Sequence, residues 1–151
     1  MQPLVWLDRV CRCFRMDHAS VPALNDVSLE VRSGEFMAVA GPSGSGKSTL
    51  LHLIGCLDRT TAGEIWFEGE KVSETSPAKL ASLRRSKIGF VFQTFNLIPV
   101  FTAAENVEYP LLLRRMSRAE RLARVRDALA CVGLEGRKDQ RPDLLSGGER
   151  H

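Results

Sequence analysis

One run of nine residues, Gly41-Pro42-Ser43-Gly44-Ser45-Gly46-Lys47-Ser48-Thr49, constrains this chain more than any other stretch. It satisfies the pattern G-x-x-x-x-G-K-[ST], with the apolar residues Phe36-Met37-Ala38-Val39-Ala40 before it and Leu50-Leu51-His52-Leu53-Ile54 after it. That context predicts a buried strand leading in and a helix leading out. Such a turn, short of side chains, points successive backbone N–H groups inward as a nest suited to an anion. Lys47 adds a point charge for the terminal phosphates, the Ser48 hydroxyl is placed to ligate Mg²⁺, and the helix directs its positive dipole end at the same spot. The implied ligand is a nucleoside triphosphate with magnesium. The reaction stays open, because GTPases, small-molecule kinases, helicases and transport ATPases share the pattern.

Bulk properties narrow the class. With 151 residues, 44% hydrophobic and 26% charged, the chain has the composition of a folded single domain. A formal charge of +3 makes no independent case for a nucleic-acid partner. No segment reaches the roughly 20 apolar residues that cross a bilayer, and the start Met1-Gln2-Pro3-Leu4-Val5-Trp6 lacks the layout of a signal peptide, so a cytoplasmic location is expected. Cys11 and Cys13 lie two apart in a strand-like stretch, one face of which could hold a metal with His18. Without zinc-type spacing, ordinary packing or surface cysteines are the favoured reading, and Cys56 and Cys131 stand alone in apolar helical surroundings.

In chain order, strands are expected at Leu4 to Phe14 and Leu24 to Val31, then the strand at Phe36, then a strand and hairpin at Glu64-Ile65-Trp66-Phe67 and Glu68-Gly69-Glu70. The outer strands should form a mostly antiparallel sheet. Ser76-Pro77 opens a short basic helix to about Arg85. Ile88-Gly89-Phe90-Val91-Phe92 reads as a buried strand ending on Gln93, at the carboxyl edge where ligands collect in open α/β sheets. Capping boxes at Thr102-Ala103-Ala104-Glu105 and Ser117-Arg118-Ala119-Glu120 open helices toward Arg115 and Val132, the second stopping at Gly133. Leu122, Val125, Leu129 and Val132 give that helix an apolar stripe. Arg114, Arg115, Arg118, Arg121, Arg124 and Arg126 form a solvated basic face, with a membrane-proximal or partner contact as the alternative.

Leu145-Ser146-Gly147-Gly148-Glu149 stands about a hundred residues beyond Lys47. Taken with the phosphate-binding loop and with Gln93 after an apolar strand, it makes the chain resemble the ATP-binding subunit of ABC transporters over essentially its whole length. Thr94-Phe95-Asn96-Leu97-Ile98-Pro99 and Glu105-Asn106-Val107-Glu108 look like the lipoprotein-release and macrolide-export branch. The resemblance implies an α/β P-loop ATPase core with an antiparallel β subdomain and a helical subdomain, divided as residues 1–75 and 76–151. It implies ATP and Mg²⁺ as ligands, bound by Gly41 to Thr49, with Phe14 stacking on adenine where the family more often has Tyr. Lys47 and Gln93 are the implied catalytic residues, and Ser48 and Gln93 the metal ligands. Leu145, Ser146, Gly147, Gly148 and Glu149 would bind the γ-phosphate held by an opposite subunit. Partners would be a second copy, head to tail, and a transmembrane permease subunit on the inner face of the plasma membrane, with no nucleic acid.

The family pattern continues past the signature with a helix, an apolar strand ending in Asp, a catalytic Glu and a switch histidine; here His151 closes the sequence two residues after Glu149. His52 and His151 do not match the switch position. The resemblance therefore implies the fragment of a longer protein, weakened in magnesium binding and poor in turnover by itself. Its strands at Phe36 and Ile88 would lack neighbours, and its signature would lack a cooperative helix behind it. The alternative is a non-hydrolysing nucleotide-binding fragment. A DNA-repair ATPase with the same signature lacks support without zinc-type cysteine pairs.

Overall fold

The computed structural model describes residues 2–16, 19–114 and 116–150. Asp17 and His18 of the expected turn, His18 as a metal ligand, Arg115 of the basic face and His151 lie outside the described residues. The chain divides into two compact units, Met1–Phe90 and Val91–His151.

In the first unit, β1 (Val5–Met16), β2 (Ala19–Val31), β3 (Ala62–Phe67) and β4 (Glu70–Lys71) make an antiparallel sheet in the order β2-β1-β3-β4. Helix α1 (Lys47–Ile54) and helix α2 (Pro77–Lys87) complete it. Alternation sends Val5, Leu7, Ile65 and Phe67 into a core shared with Leu50 and Leu53 of α1 and Leu80 of α2. Trp6 and Trp66 stack on the other face with ring centroids 6.0 Å apart. β2 begins earlier than its apolar pattern indicates, and Pro22 is tolerated because β2 is an edge strand. Helix α2 is capped as expected, Ser76 Oγ accepting from the Lys79 N–H at 3.4 Å. It packs within the first unit, where Arg84 Nη1 donates to the Cys56 carbonyl at 2.7 Å.

A bulge in β1 decides which residues face the core. Leu7 pairs with Leu29 and Val10 with Val27, so β1 carries one residue more than β2 there, and the β3 pairing shifts between Asp8 and Cys11. Arg9 takes a φ of 45°. Before the bulge the odd-numbered Val5 and Leu7 face inward; after it the even-numbered Val10 is fully buried, and two further shifts in the pairing with β2 flank Arg12. Gly63 makes the bulge possible: its φ is +80°, and a Cβ there would lie 2.2 Å from the Arg9 carbonyl oxygen.

Two expected strands are not formed. Residues 36–40 and 88–92 carry no strand pairing, and Phe36 is 96% and Val91 92% exposed. A parallel strand exists only where neighbours accept its N–H and C=O groups, and the described residues offer none to these segments.

In the second unit, α3 (Ala103–Leu112) and α4 (Arg118–Cys131) pack against each other. Thr102 and Glu105 form a complete capping box, the Glu105 N–H donating to Thr102 Oγ1 at 3.2 Å and the Thr102 N–H to Glu105 Oε2 at 2.7 Å. Pro110, inside α3, removes a backbone donor, and the helix stops at Leu112, short of Arg115. Ser117 caps α4 through the Glu120 N–H at 3.2 Å, while the Glu120 carboxylate is engaged by Arg124. The core holds Ala103, Val125, Leu129 and Leu145; of the anticipated stripe, Val132 is 66% exposed and Leu122 is exposed too. Arg121 leaves the solvated face, its Nε bridging to Glu108 Oε1 at 2.6 Å between the helices. Asn106 binds Ile98, Phe101 and Thr102 and so ties the loop before α3 to its first turns. Cys56 is buried, as its apolar surroundings suggest, whereas Cys131 is exposed.

Candidate nucleotide-binding site

The first unit presents the loop 41–46 ahead of α1. Its last residue, Gly46, is the N-cap with φ 89°, makes no side-chain cap hydrogen bond, and is followed by a first turn without acidic residues. Among the described residues, the positive end of α1 is thus left uncompensated by any cap or first-turn carboxylate. A side chain at Gly46 is excluded: a Cβ would lie 2.4 Å from the Ala23 carbonyl oxygen and 2.9 Å from Leu24. The loop therefore rests on β2. Lys47 Nζ folds back over it, donating to the Gly41 and Pro42 carbonyls at 2.9 and 2.7 Å and lying 3.5 Å from Ser45 Oγ. These acceptors are all neutral, so the ammonium charge remains available to an anion. Ser48 is exposed in the first turn of α1. An uncapped helix start, a glycine-rich turn and an unneutralised lysine together suit a phosphate chain, and Ser48 supplies the kind of oxygen donor that Mg²⁺ prefers.

Phe14 lies two β1 positions beyond Arg12, whose partner on β2 is Leu24, one of the two residues against which Gly46 packs. Phe14 is 38% exposed. Composition and spacing did not single out Arg12, which the structure sets against that ring. The signal was the i, i+2 relation to Phe14 on one strand.

In the second unit, Gln93 is exposed in irregular chain and does not end a strand. The stretch that follows turns at Asn96, with φ 49°. Leu145 is buried in the helical core, and the four residues after it close on themselves. The Ser146 N–H donates to Glu149 Oε2 at 2.8 Å and the Glu149 N–H to Ser146 Oγ at 3.3 Å, the reciprocal pattern of a capping box. The same S-x-x-E spacing that marked Ser117 was legible here as well. Arg137 Nε holds the other Glu149 oxygen at 3.1 Å, and Arg150 donates to the Leu145 carbonyl at 2.9 Å while its guanidinium lies 5.7 Å from the Phe95 ring centroid. The turn is thus braced from Arg137 and Arg150, neither of which the sequence pattern indicated.

The Ser146 N–H, then its hydroxyl, and the nearby Arg137 keep the Glu149 carboxyl below the usual glutamate range. A folded-state value below the unfolded one means that the bracing is present above the ordinary carboxylate range and is lost as pH falls through the lowered value. The Ser146 amide chemical shift will titrate with its midpoint below that of an ordinary glutamate, and Glu149→Gln will abolish the titration.

Residues 24–151 match the model of the ABC transporter family. The chain is 47% identical over 150 residues to an uncharacterized ABC transporter ATP-binding protein of Thermotoga maritima, covering 99% of this chain and 64% of that one. It is 46% identical over 149 residues to the macrolide export ATP-binding/permease protein MacB of Marinobacter nauticus, covering 99% of this chain and 23% of that protein. Among solved structures, it is similar to the ATP-binding cassette MJ0796 in a dimeric post-hydrolysis state bound to ADP and Pi, with a TM-score of 0.88, 44% identity and coverage of 97% of this chain and 65% of that one. A second dimeric structure of that bacterial ABC transporter cassette gives a TM-score of 0.86 at 43% identity. The chain thus spans just under two thirds of the ATP-binding proteins it resembles, and its structure matches part of an ABC ATPase cassette. A loop that leaves a helix start uncapped, a self-capped Leu145-Ser146-Gly147-Gly148-Glu149 turn and these likenesses converge: the chain belongs to the ABC transporter family.

Proposed function

We propose that this chain is the nucleotide-binding part of a transporter that couples ATP binding and hydrolysis to export or extraction of a substrate through a separate membrane permease. The observation that carries the reading is the start of α1, where Gly46 provides no cap and Lys47 lies over the loop on neutral acceptors. Gly41 to Thr49 hold the triphosphate, Phe14 takes the base, and Ser48 with Gln93 hold Mg²⁺. When bound, the metal supplies positive charge to the phosphate oxygens. Lys47 places a further positive charge on the same oxygens, where negative charge spreads during attack of water. Gln93 orients that water. Turnover is proposed for the whole protein, since the chain spans 65% of the solved cassette.

A separate permease is favoured because the Thermotoga relative is an ATP-binding protein of which this chain covers 64%, whereas MacB joins ATP-binding and permease parts in one chain. No helix among the described residues is long and apolar enough to cross a membrane. The protein then sits at the cytoplasmic face through that permease. Two copies pair head to tail, each offering Ser146, Gly147 and Gly148 to the nucleotide on the other, in line with the dimeric solved relatives. Sedimentation of the full-length protein with Mg²⁺ and a non-hydrolysable ATP analogue tests this. The nucleotide should shift it from monomer to dimer, and Ser146→Arg should abolish the dimer while monomer affinity changes less than about twofold, because the signature touches only the partner's ligand. Dimerisation that survives Ser146→Arg would remove the composite site.

A further inference from the structure

We infer that Arg12 is a positioning residue for the nucleoside end of the ligand: it backs one face of the Phe14 ring and leaves the opposite face for the base. This rests on the reading of Phe14 as the base platform. Arg12 and Phe14 stand two residues apart on β1, beyond the bulge at Arg9. The Arg12 guanidinium carbon lies 4.5 Å from the Phe14 ring centroid, inside the range of a cation–π contact.

Arg12 is held there from outside the sheet. Its Nη2 reaches Asp58 Oδ1 at 2.9 Å, with both side chains mostly shielded from solvent. Asp58 lies just past α1, its N–H bonded to the His52 carbonyl at 3.3 Å, and its Oδ1 also accepts from the Arg59 N–H at 2.7 Å. Arg12 Nε is buried without a hydrogen-bond partner among the described residues. The guanidinium therefore gives up a hydrogen bond in the position that lets it both grip Asp58 and lie against the ring. A planar guanidinium can do both, whereas an ammonium can supply only a point charge. Helix α1 thus begins at the loop proposed to bind phosphate, and the turn that follows it, tied back to the His52 carbonyl, carries the carboxylate that holds Arg12.

The test is calorimetric binding of MgATP and of magnesium tripolyphosphate, which lacks a base, to the full chain. Phe14→Ala should weaken ATP about tenfold and tripolyphosphate not at all, the size expected for losing a base–aromatic stack. Arg12→Ala and Arg12→Gln should weaken ATP about fivefold with tripolyphosphate unchanged, and should add nothing in a Phe14→Ala background, because the residue acts through the ring. Asp58→Asn, which releases the guanidinium without shortening it, should weaken ATP in the same selective way and serves if the Arg12 variants fail to fold. Unchanged ATP affinity in the Arg12 variants, an equal loss of tripolyphosphate, or a loss that adds to that of Phe14→Ala would each overturn the inference. An ATP affinity unaffected by Phe14→Ala would instead remove the base-platform reading on which it stands.

Discussion

Lys47→Ala will lower the affinity for MgATP by about two orders of magnitude, and the affinity for tripolyphosphate will fall equally. The ammonium now donates to the Gly41 and Pro42 carbonyls at 2.9 and 2.7 Å, which holds it over the loop without neutralising it. Hydrogen bonds to a charged partner contribute about 1.5–3 kcal/mol each, and a loss of about 2.7 kcal/mol is a hundredfold in binding. The parallel fall of both ligands separates this residue from Phe14 and Arg12, whose variants spare tripolyphosphate. Thermal unfolding without ligand should change little, because α1 is anchored by Leu50 and Leu53 in the core. Affinity for both ligands equal to that of the parent would remove the assignment of the loop as the phosphate site.

The second large effect concerns the sheet that carries Phe14. Gly63→Ala will destabilise the protein by about 3–5 kcal/mol, at the upper end for single substitutions. Two causes add. The residue's φ of +80° is strained for any L side chain, and a Cβ would lie 2.2 Å from the Arg9 carbonyl oxygen and 2.7 Å from that of Asp8. Those atoms are backbone held in the sheet, so they do not move aside cheaply. Gly34→Ala separates the causes: Gly34 has φ +76° with nothing within 4 Å, and its substitution should cost only the backbone strain, about 1 kcal/mol. Urea unfolding of both variants checks the difference. Equal costs would mean that the close approach of β3 to the bulge contributes nothing.

Much of the helical architecture was legible because its signals are local. Ser76 and Pro77, Thr102 with Glu105, and Ser117 with Gly133 mark helix ends through hydrogen bonds that span three or four residues, and the structure places helix ends at or beside each. The two failures have one cause. Phe36 to Ala40 and Ile88 to Phe92 have the composition of buried parallel strands, but such strands are made by their neighbours rather than by their own residues. The basic face shows the same limit, since Arg121 is a bridge to Glu108 only once α3 and α4 have packed. Likewise Glu149 had a legible S-x-x-E spacing to Ser146, while its contact with Arg137 spans separate turns.

The residue types at Gly41 to Thr49 and Leu145 to Glu149 were determined by sequence alone, together with the local helix starts around them. Those features depend on backbone freedom, charge and hydrogen bonds between near neighbours, all of which a linear pattern records. Only the tertiary structure decided which side of β1 Phe14 occupies and what stands behind it. The bulge at Arg9 changes which residues of β1 face the core between Leu7 and Val10, and Gly63, more than fifty residues away in sequence, permits it by having no side chain to block it.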